Sequence, residues 1–308
     1  ELTSGDVRQA DHPLNAWWRR AIADEPLVAT MDDEDGLVTF ETFDNGNYEG
    51  WLPSGQAFTD SPASPGEWAA VNNAARVAKS GVAHSGLKSA KLQGVLRSPT
   101  FTLEHDSVHI RAAGQGAQLR LVIGQFQLRE FNGLLFEQTL RDVNTGGDYV
   151  WHTMTRDLSK FKGRPAYIEL IDEGDGYIAV DEIVFSNASS ISPREHPIGI
   201  AIRETYGDTP ALDDVAAVYA REIQLPAHAW PSKDALDSMI ACLVTKDLIG
   251  IGASADTLRV AAESIATASE SIPAPMRVLA ITEGTPIDAP VMVRGNPKNP
   301  ADIAPRGF

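Results

Sequence analysis

Between residues 37 and 185 the apolar residues come in short runs separated by Gly, Pro, Asn and Asp, and inside several runs they alternate with polar ones. Leu119, Leu121 and Ile123 share one side of an extended segment with Arg120 opposite, and Ile168 and Leu170 interleave with Tyr167 and Glu169. A period of two with frequent turn residues predicts half-buried strands, here over 37–43, 88–92, 101–103, 108–112, 118–123, 126–128, 166–171 and 177–185. Such a series predicts a mainly β chain with an antiparallel β-sandwich of about 150 residues. The acidic stretch Asp172, Glu173, Gly174, Asp175, Gly176 lacks the spacing of a calcium-binding EF-hand loop and reads as a tight hairpin between its flanking strands.

On either side the period changes. Leu14, Trp17, Trp18 and Ile22 fall near one helical face behind Pro13, and helical spacing returns over 213–224, 232–244 and 254–268. The expected organisation is an N-terminal helical segment (1–34), the sandwich (35–187), a helical subdomain packing against that segment (188–272) and an extended tail rich in Pro and Gly (273–308). The sandwich is then an insertion into the helical part, because the exposed face of Trp17, Trp18 and Ile22 needs an apolar partner.

Composition narrows the chemistry. The 26 Lys and Arg against 42 Asp and Glu give a net charge of -16, which repels a polyphosphate backbone and argues against nucleic acid as a partner. No apolar run reaches the roughly 20 residues a membrane-spanning helix needs. One cysteine, Cys242, forms no internal disulfide and no thiolate cage. Nucleophile elbow, P-loop, dinucleotide fingerprint and zinc-protease motifs are absent from the sequence. The chain starts without Met and ends just after a Pro-rich stretch, which leads to the expectation of a piece of a longer polypeptide.

Sugar recognition requires planar polar groups for vicinal hydroxyls and an aromatic plane for the apolar face of the ring. The stretch from Arg120 to Arg129 offers the first: if extended, it places Gln125, Gln127 and Arg129 together. Trp51, Tyr149 and Trp151 lie beside turns, and Trp151 is the candidate platform, although Trp51 and Trp151 also read as packing anchors. Arg120 or Arg129 would have to capture any anionic glycan. Glu41 and Asp181, on the first and last strands, form a candidate calcium site, because adjacent carboxylates repel unless a cation intervenes. His105 and His109 share a strand face but stand about 13 Å apart and read as structural. Asn187, Ala188 and Ser189 match a glycosylation acceptor.

The segments from Phe43 to Trp51 and from Trp151 to Ile183, the tail Val293, Arg294, Gly295, Asn296, Pro297, Lys298, Asn299, Pro300, and the early His12, Pro13, Leu14 resemble the large secreted planctomycetal proteins that carry a cytochrome c domain. Ala301 departs from the Gly that this resemblance leads one to expect. The resemblance implies export to the periplasm, cell surface or medium, and flanking domains of the same longer chain. It also implies a jelly-roll sandwich similar to the galactose-binding-like modules found beside sugar-cleaving enzymes. Haem belongs to the cytochrome domain, whose C-x-x-C-H motif is absent from this sequence, so no haem is expected here. The combined reading is a carbohydrate-binding or substrate-tethering module without catalysis. A structural spacer between domains and a polysaccharide hydrolase using two carboxylates remain open as alternatives.

Overall fold

The computed structural model describes residues 36–64, 67–71, 74–124, 139–155, 158–191, 197–207, 253–276, 288–296 and 299–304, with a few more between 211 and 218. In chain order the strands are β1 (Val38–Glu41), β2 (Leu52–Gly55), β3 (Trp68–Val71), β4 (Ala74–Val77), β5 (Ala83–His84), β6 (Gly94–Arg97), β7 (Phe101–Thr102) and β8 (Ser107–Gln115). They continue with β9 (Ala117–Ile123), β10 (Leu140–Val143), β11 (Val150–Met154), β12 (Pro165–Asp172) and β13 (Tyr177–Ser186). Helices α1 (Pro197–Tyr206) and α2 (Ala253–Ser271) follow, then β14 (Ala289–Met292) and β15 (Pro300–Ala304).

Two antiparallel sheets form the sandwich. One has the order β1-β13-β8-β11, with β5 also on β13; the other has β10-β9-β12-β6-β2, with β7 also on β12. Alternation decides which residues meet between them. Strand β9 turns Leu119, Leu121 and Ile123 inward, β12 turns Ile168 and Leu170, and β8 turns Val108, Ile110 and Ala112. Each such Leu or Ile contributes roughly 1.5–3 kcal/mol by leaving water. At the β1 edge, Phe40 packs on Phe101 and Phe185 with ring centroids 5.0 and 4.9 Å away. Trp51 is buried beside Phe43 at 5.2 Å, a packing anchor.

Strand β13 is buried on both faces, which is why it reads as an almost unbroken apolar run. Its outward Tyr177 and Ala179 pack with Ala69 and Val71 of β3 and with Ala78, Val82 and Leu87. The β3-β4 hairpin therefore lies over this sheet, and α2 packs against the hairpin. Ser89 Oγ donates to the Ser269 carbonyl (3.2 Å), Lys91 Nζ to that of Glu270 (2.5 Å), and Ile272 reaches the main core.

Several expectations are corrected. Strands β12 and β13 flank the acidic turn but belong to different sheets, so residues 173–176 are a crossing between sheets and no hairpin. Residues 88–92 form a turn, because Ser89 accepts from the N–H groups of both Lys91 and Leu92 and so draws the backbone away from a ladder. Strands β2, β3, β4, β5, β6, β10 and β11 and helix α1 were not expected: most are four residues long or shorter, too short to show a period. The tail expected to be extended contains the β14-β15 hairpin. Helix α2 matches the expected 254–268. The strand expected over 126–128, the N-terminal helix and its contacts, and nearly all of the helices over 213–224 and 232–244 lie outside the described residues. Among the described residues, no helix is long and apolar enough to cross a membrane.

Candidate functional site

The inward turn of Leu119, Leu121, Ile168 and Leu170 forces their neighbours onto the outer face of the β10-β9-β12-β6-β2 sheet. Pairing register then sets them in rows. Leu52, Arg97, Glu169, Arg120 and Leu140 lie side by side across the five strands. The next row is Ser54, Val95, Ile171, Gln118 and Asp142, and Tyr167 stands beside Val122 in the row on the other side. Tyr167 and Val122 are buried, Arg97, Arg120 and Gln118 are half-buried, and Asp142 is exposed.

The polar side chains of these rows are held in fixed poses. Arg120 Nε and Nη2 both donate to Glu169 Oε2, at 2.7 and 2.5 Å. Gln118 Nε2 donates to Asp142 Oδ1 at 2.7 Å. The Arg97 guanidinium carbon lies 3.6 Å from the centroid of the Tyr167 ring, a stacked cation–π contact. Beside Gln118, Asp142 and Ile171 opens a cavity of about 300 Å³, closed on its other side by Gly116, Asn144, Glu173 and Gly174. The face thus offers guanidinium, carboxylate and amide planes next to an open recess, the type of surface that makes paired hydrogen bonds.

Of the residues singled out from sequence, Arg120 is on this face and Gln125, Gln127 and Arg129 lie outside the described residues. Trp151 is separated from Arg120: it sits in β11 of the other sheet, opposite Arg111, so it cannot be the platform for Arg120's face. Sequence reasoning missed Arg97 and the roles of Tyr167 and Glu169. The alternation around Ile168 and Leu170 carried a signal for the last two; Arg97, on a four-residue strand, had none.

Glu41 and Asp181 are each taken up by protein donors. Glu41 Oε2 accepts from Trp51 Nε1 (2.9 Å), and Oε1 accepts from the N–H groups of Thr42 (2.9 Å) and Phe43 (2.8 Å). Asp181 sits in a β-bulge, where the register of β13 against β8 shifts between Val180 and Glu182. The extra residue turns it outward, where Lys79 Nζ (2.5 Å) and Arg111 Nη1 (2.6 Å) meet its two oxygens beside the Tyr149 ring. Asp181 thus has two protein cations as partners, whereas Glu41 is held by an indole and two backbone N–H groups. Among the described residues, no three His, Cys, Asp or Glu side chains converge as a metal site requires. Asp181→Ala is expected to cost about 3 kcal/mol, since it leaves the buried Lys79 ammonium without its carboxylate; thermal melting against the parent checks this.

His105 and His109 do not form a joint site: His105 faces Phe185, with ring centroids 6.0 Å apart, while His109 is buried between Thr153 Oγ1 (2.9 Å) and Ser186 Oγ (2.8 Å). Asp172, behind the recess, has no exposed surface, and burial pushes its carboxyl up to about 7 against the lowering influence of Ser85 and the Gly174 N–H. A raised carboxyl favours folding while protonated, so its contribution is present below about pH 4 and is lost as pH rises through 7. Asp172→Asn is therefore expected to gain about 3 kcal/mol relative to the parent between pH 4.5 and pH 8, read from urea unfolding at both.

No protein-family model matches this chain, and no curated protein matches it. Among solved structures, it is similar to a family 29 carbohydrate-binding module complexed with cellulohexaose, at 13% identity over 51% of this chain and 96% of that one (TM-score 0.30). It is likewise similar to the K2 cleaved adhesin domain of Lys-gingipain, at 14% identity over 49% and 99% of the two chains (TM-score 0.31). A family two carbohydrate esterase from Cellvibrio japonicus is similar at 6% identity over 48% and 36% (TM-score 0.23).

Proposed function

We propose that the sandwich binds carbohydrate on the outer face of the β10-β9-β12-β6-β2 sheet, as a binding or tethering module of an exported protein. The observation that carries this reading is the row Arg97, Glu169, Arg120, set in register across neighbouring strands, with its two arginines half-buried around the buried Glu169 and followed by Gln118, Asp142 and the recess. Sugar hydroxyls in vicinal pairs fit planar donors and acceptors held in pairs, and the rigidity of a central sheet limits the ordering cost of binding. Export and the flanking domains rest on the resemblance to the planctomycetal proteins.

A hydrolase would require two carboxylates flanking a scissile bond, and here Glu169 is engaged by Arg120 and Asp142 by Gln118.

The test is titration calorimetry with soluble oligosaccharides chosen from a glycan array, comparing the parent with the double variant Arg120→Gln, Glu169→Gln. Changing both partners avoids stranding one charge. Binding is expected to weaken by tenfold or more, since charge-assisted hydrogen bonds are worth about 1.5–3 kcal/mol, with melting within a few degrees of the parent. Absence of glycan binding by the parent overturns the reading in favour of the structural spacer.

A further inference from the structure

We infer that the glycan is acidic and that Arg97, not Arg120, is the residue that takes its carboxylate. This rests on the reading of the β10-β9-β12-β6-β2 face as a glycan site and names the substrate class of that site. In the central row one carboxylate stands between two guanidinium groups, since Glu169 is the register partner of Arg97 on β6 and of Arg120 on β9. The two arginines do not share it. Arg120 sends both Nε and Nη2 to Glu169 Oε2 and is neutralised there. Arg97 stacks on Tyr167 instead, and among the described residues no carboxylate pairs with it and its Nε has no hydrogen-bond partner.

A buried guanidinium donor left without an acceptor is costly, because a donor withdrawn from water loses its hydration and regains nothing. Stacking compensates for part of that loss and fixes the plane of the group, with Tyr167 beneath it and Leu52 alongside in the row. A planar carboxylate matches a guanidinium in shape and charge, and a uronic acid residue presents one next to the hydroxyls that Gln118 and Asp142 can read. The chain as a whole carries -16, so long-range attraction to a polyanion is absent and selectivity for an acidic glycan has to come from this local contact. Affinity is therefore expected to depend on the identity of residue 97 much more than on net charge.

The experiment compares oligogalacturonate with a neutral cello-oligosaccharide of equal length, using calorimetry on the parent chain, Arg97→Gln and Arg97→Lys. The parent is expected to bind the uronate oligomer about tenfold or more tightly than the neutral one. Arg97→Gln keeps a planar hydrogen-bonding group without the charge and should weaken uronate binding about tenfold more than it weakens neutral binding, removing the preference. Arg97→Lys keeps the charge without the fork and should retain only part of the preference. If the parent binds both oligomers equally, or prefers the neutral one, the acidic-ligand inference is overturned while the glycan reading stands. Equal weakening of both ligands by Arg97→Gln also overturns it, because the residue would then be a general sugar contact. If the parent binds neither these oligomers nor any glycan on an array, the glycan reading falls and this inference with it.

Discussion

Gly176→Ala is expected to destabilise the sandwich by about 4 kcal/mol or more, enough to remove most of the stability of an ordinary domain. A Cβ at this position would lie 1.8 Å from the Gln115 carbonyl oxygen and 2.9 Å from its carbon, both backbone atoms of β8. Residues 173–176 carry the chain from one sheet to the other, and they pass the β8-β9 turn at this point. Relief would require moving a backbone segment that Gly114 also holds close, since a Cβ there would meet the Tyr177 carbonyl at 2.4 Å. Gly174→Ala is the control two residues earlier: its nearest neighbour would be the Gly116 carbonyl at 3.5 Å, an ordinary contact, and stability should change by less than about 1 kcal/mol. Guanidinium unfolding of the two variants checks the contrast. Equal loss in both would mean that the crossing tolerates a side chain and that its position between the sheets is not set by this close approach.

Acid is expected to destabilise the fold through His84 and His109. Burial pulls each imidazole down to about 4 from its usual 6.5, so the folded chain releases protons that the unfolded chain keeps. Their contribution is complete above about pH 6.5 and is lost as pH falls through 4, by about 3 kcal/mol for each ring at pH 4. Both are structural pins. His84 Nδ1 accepts from the Gly86 N–H at 2.9 Å and its ring stacks on Tyr177 with centroids 5.2 Å apart, while His109 joins β11 to β13 through Thr153 and Ser186. Urea midpoints measured from pH 7 to pH 4 should fall steeply in the parent and flatten by about 3 kcal/mol in His109→Gln. Asp172 acts in the opposite direction over much of this range, so the variant carrying both His109→Gln and Asp172→Asn should show the two effects as a sum if the sites are independent. An unchanged slope in His109→Gln would show that folding does not shift the titration of this ring.

The alternation of Leu119, Leu121 and Ile123 against Arg120, and of Ile168 and Leu170 against Tyr167 and Glu169, was sufficient to establish paired strands, a sandwich and the outward side of Arg120. A period of two is a local property, because a strand that buries one face must repeat every second residue. The 19 residues of α2 were legible for the equivalent reason, with its apolar positions recurring at helical spacing. What the sequence did not determine is which strands stand next to one another. Strands β12 and β13 are separated by four residues and look like a hairpin, yet they lie in different sheets, since each finds its ladder partners far away in the chain: β9 and β6 for one, β8 and β1 for the other. The same non-local pairing put Glu169 between Arg97 and Arg120, sent Trp151 to the opposite side of the sandwich, and gave Asp181 its two cations through a single-residue bulge. Local spacing fixes which side of a strand a residue faces; only the tertiary structure decides which residues share that face, because ladder hydrogen bonds are alike for every sequence and the choice among partners is made by packing the whole core at once.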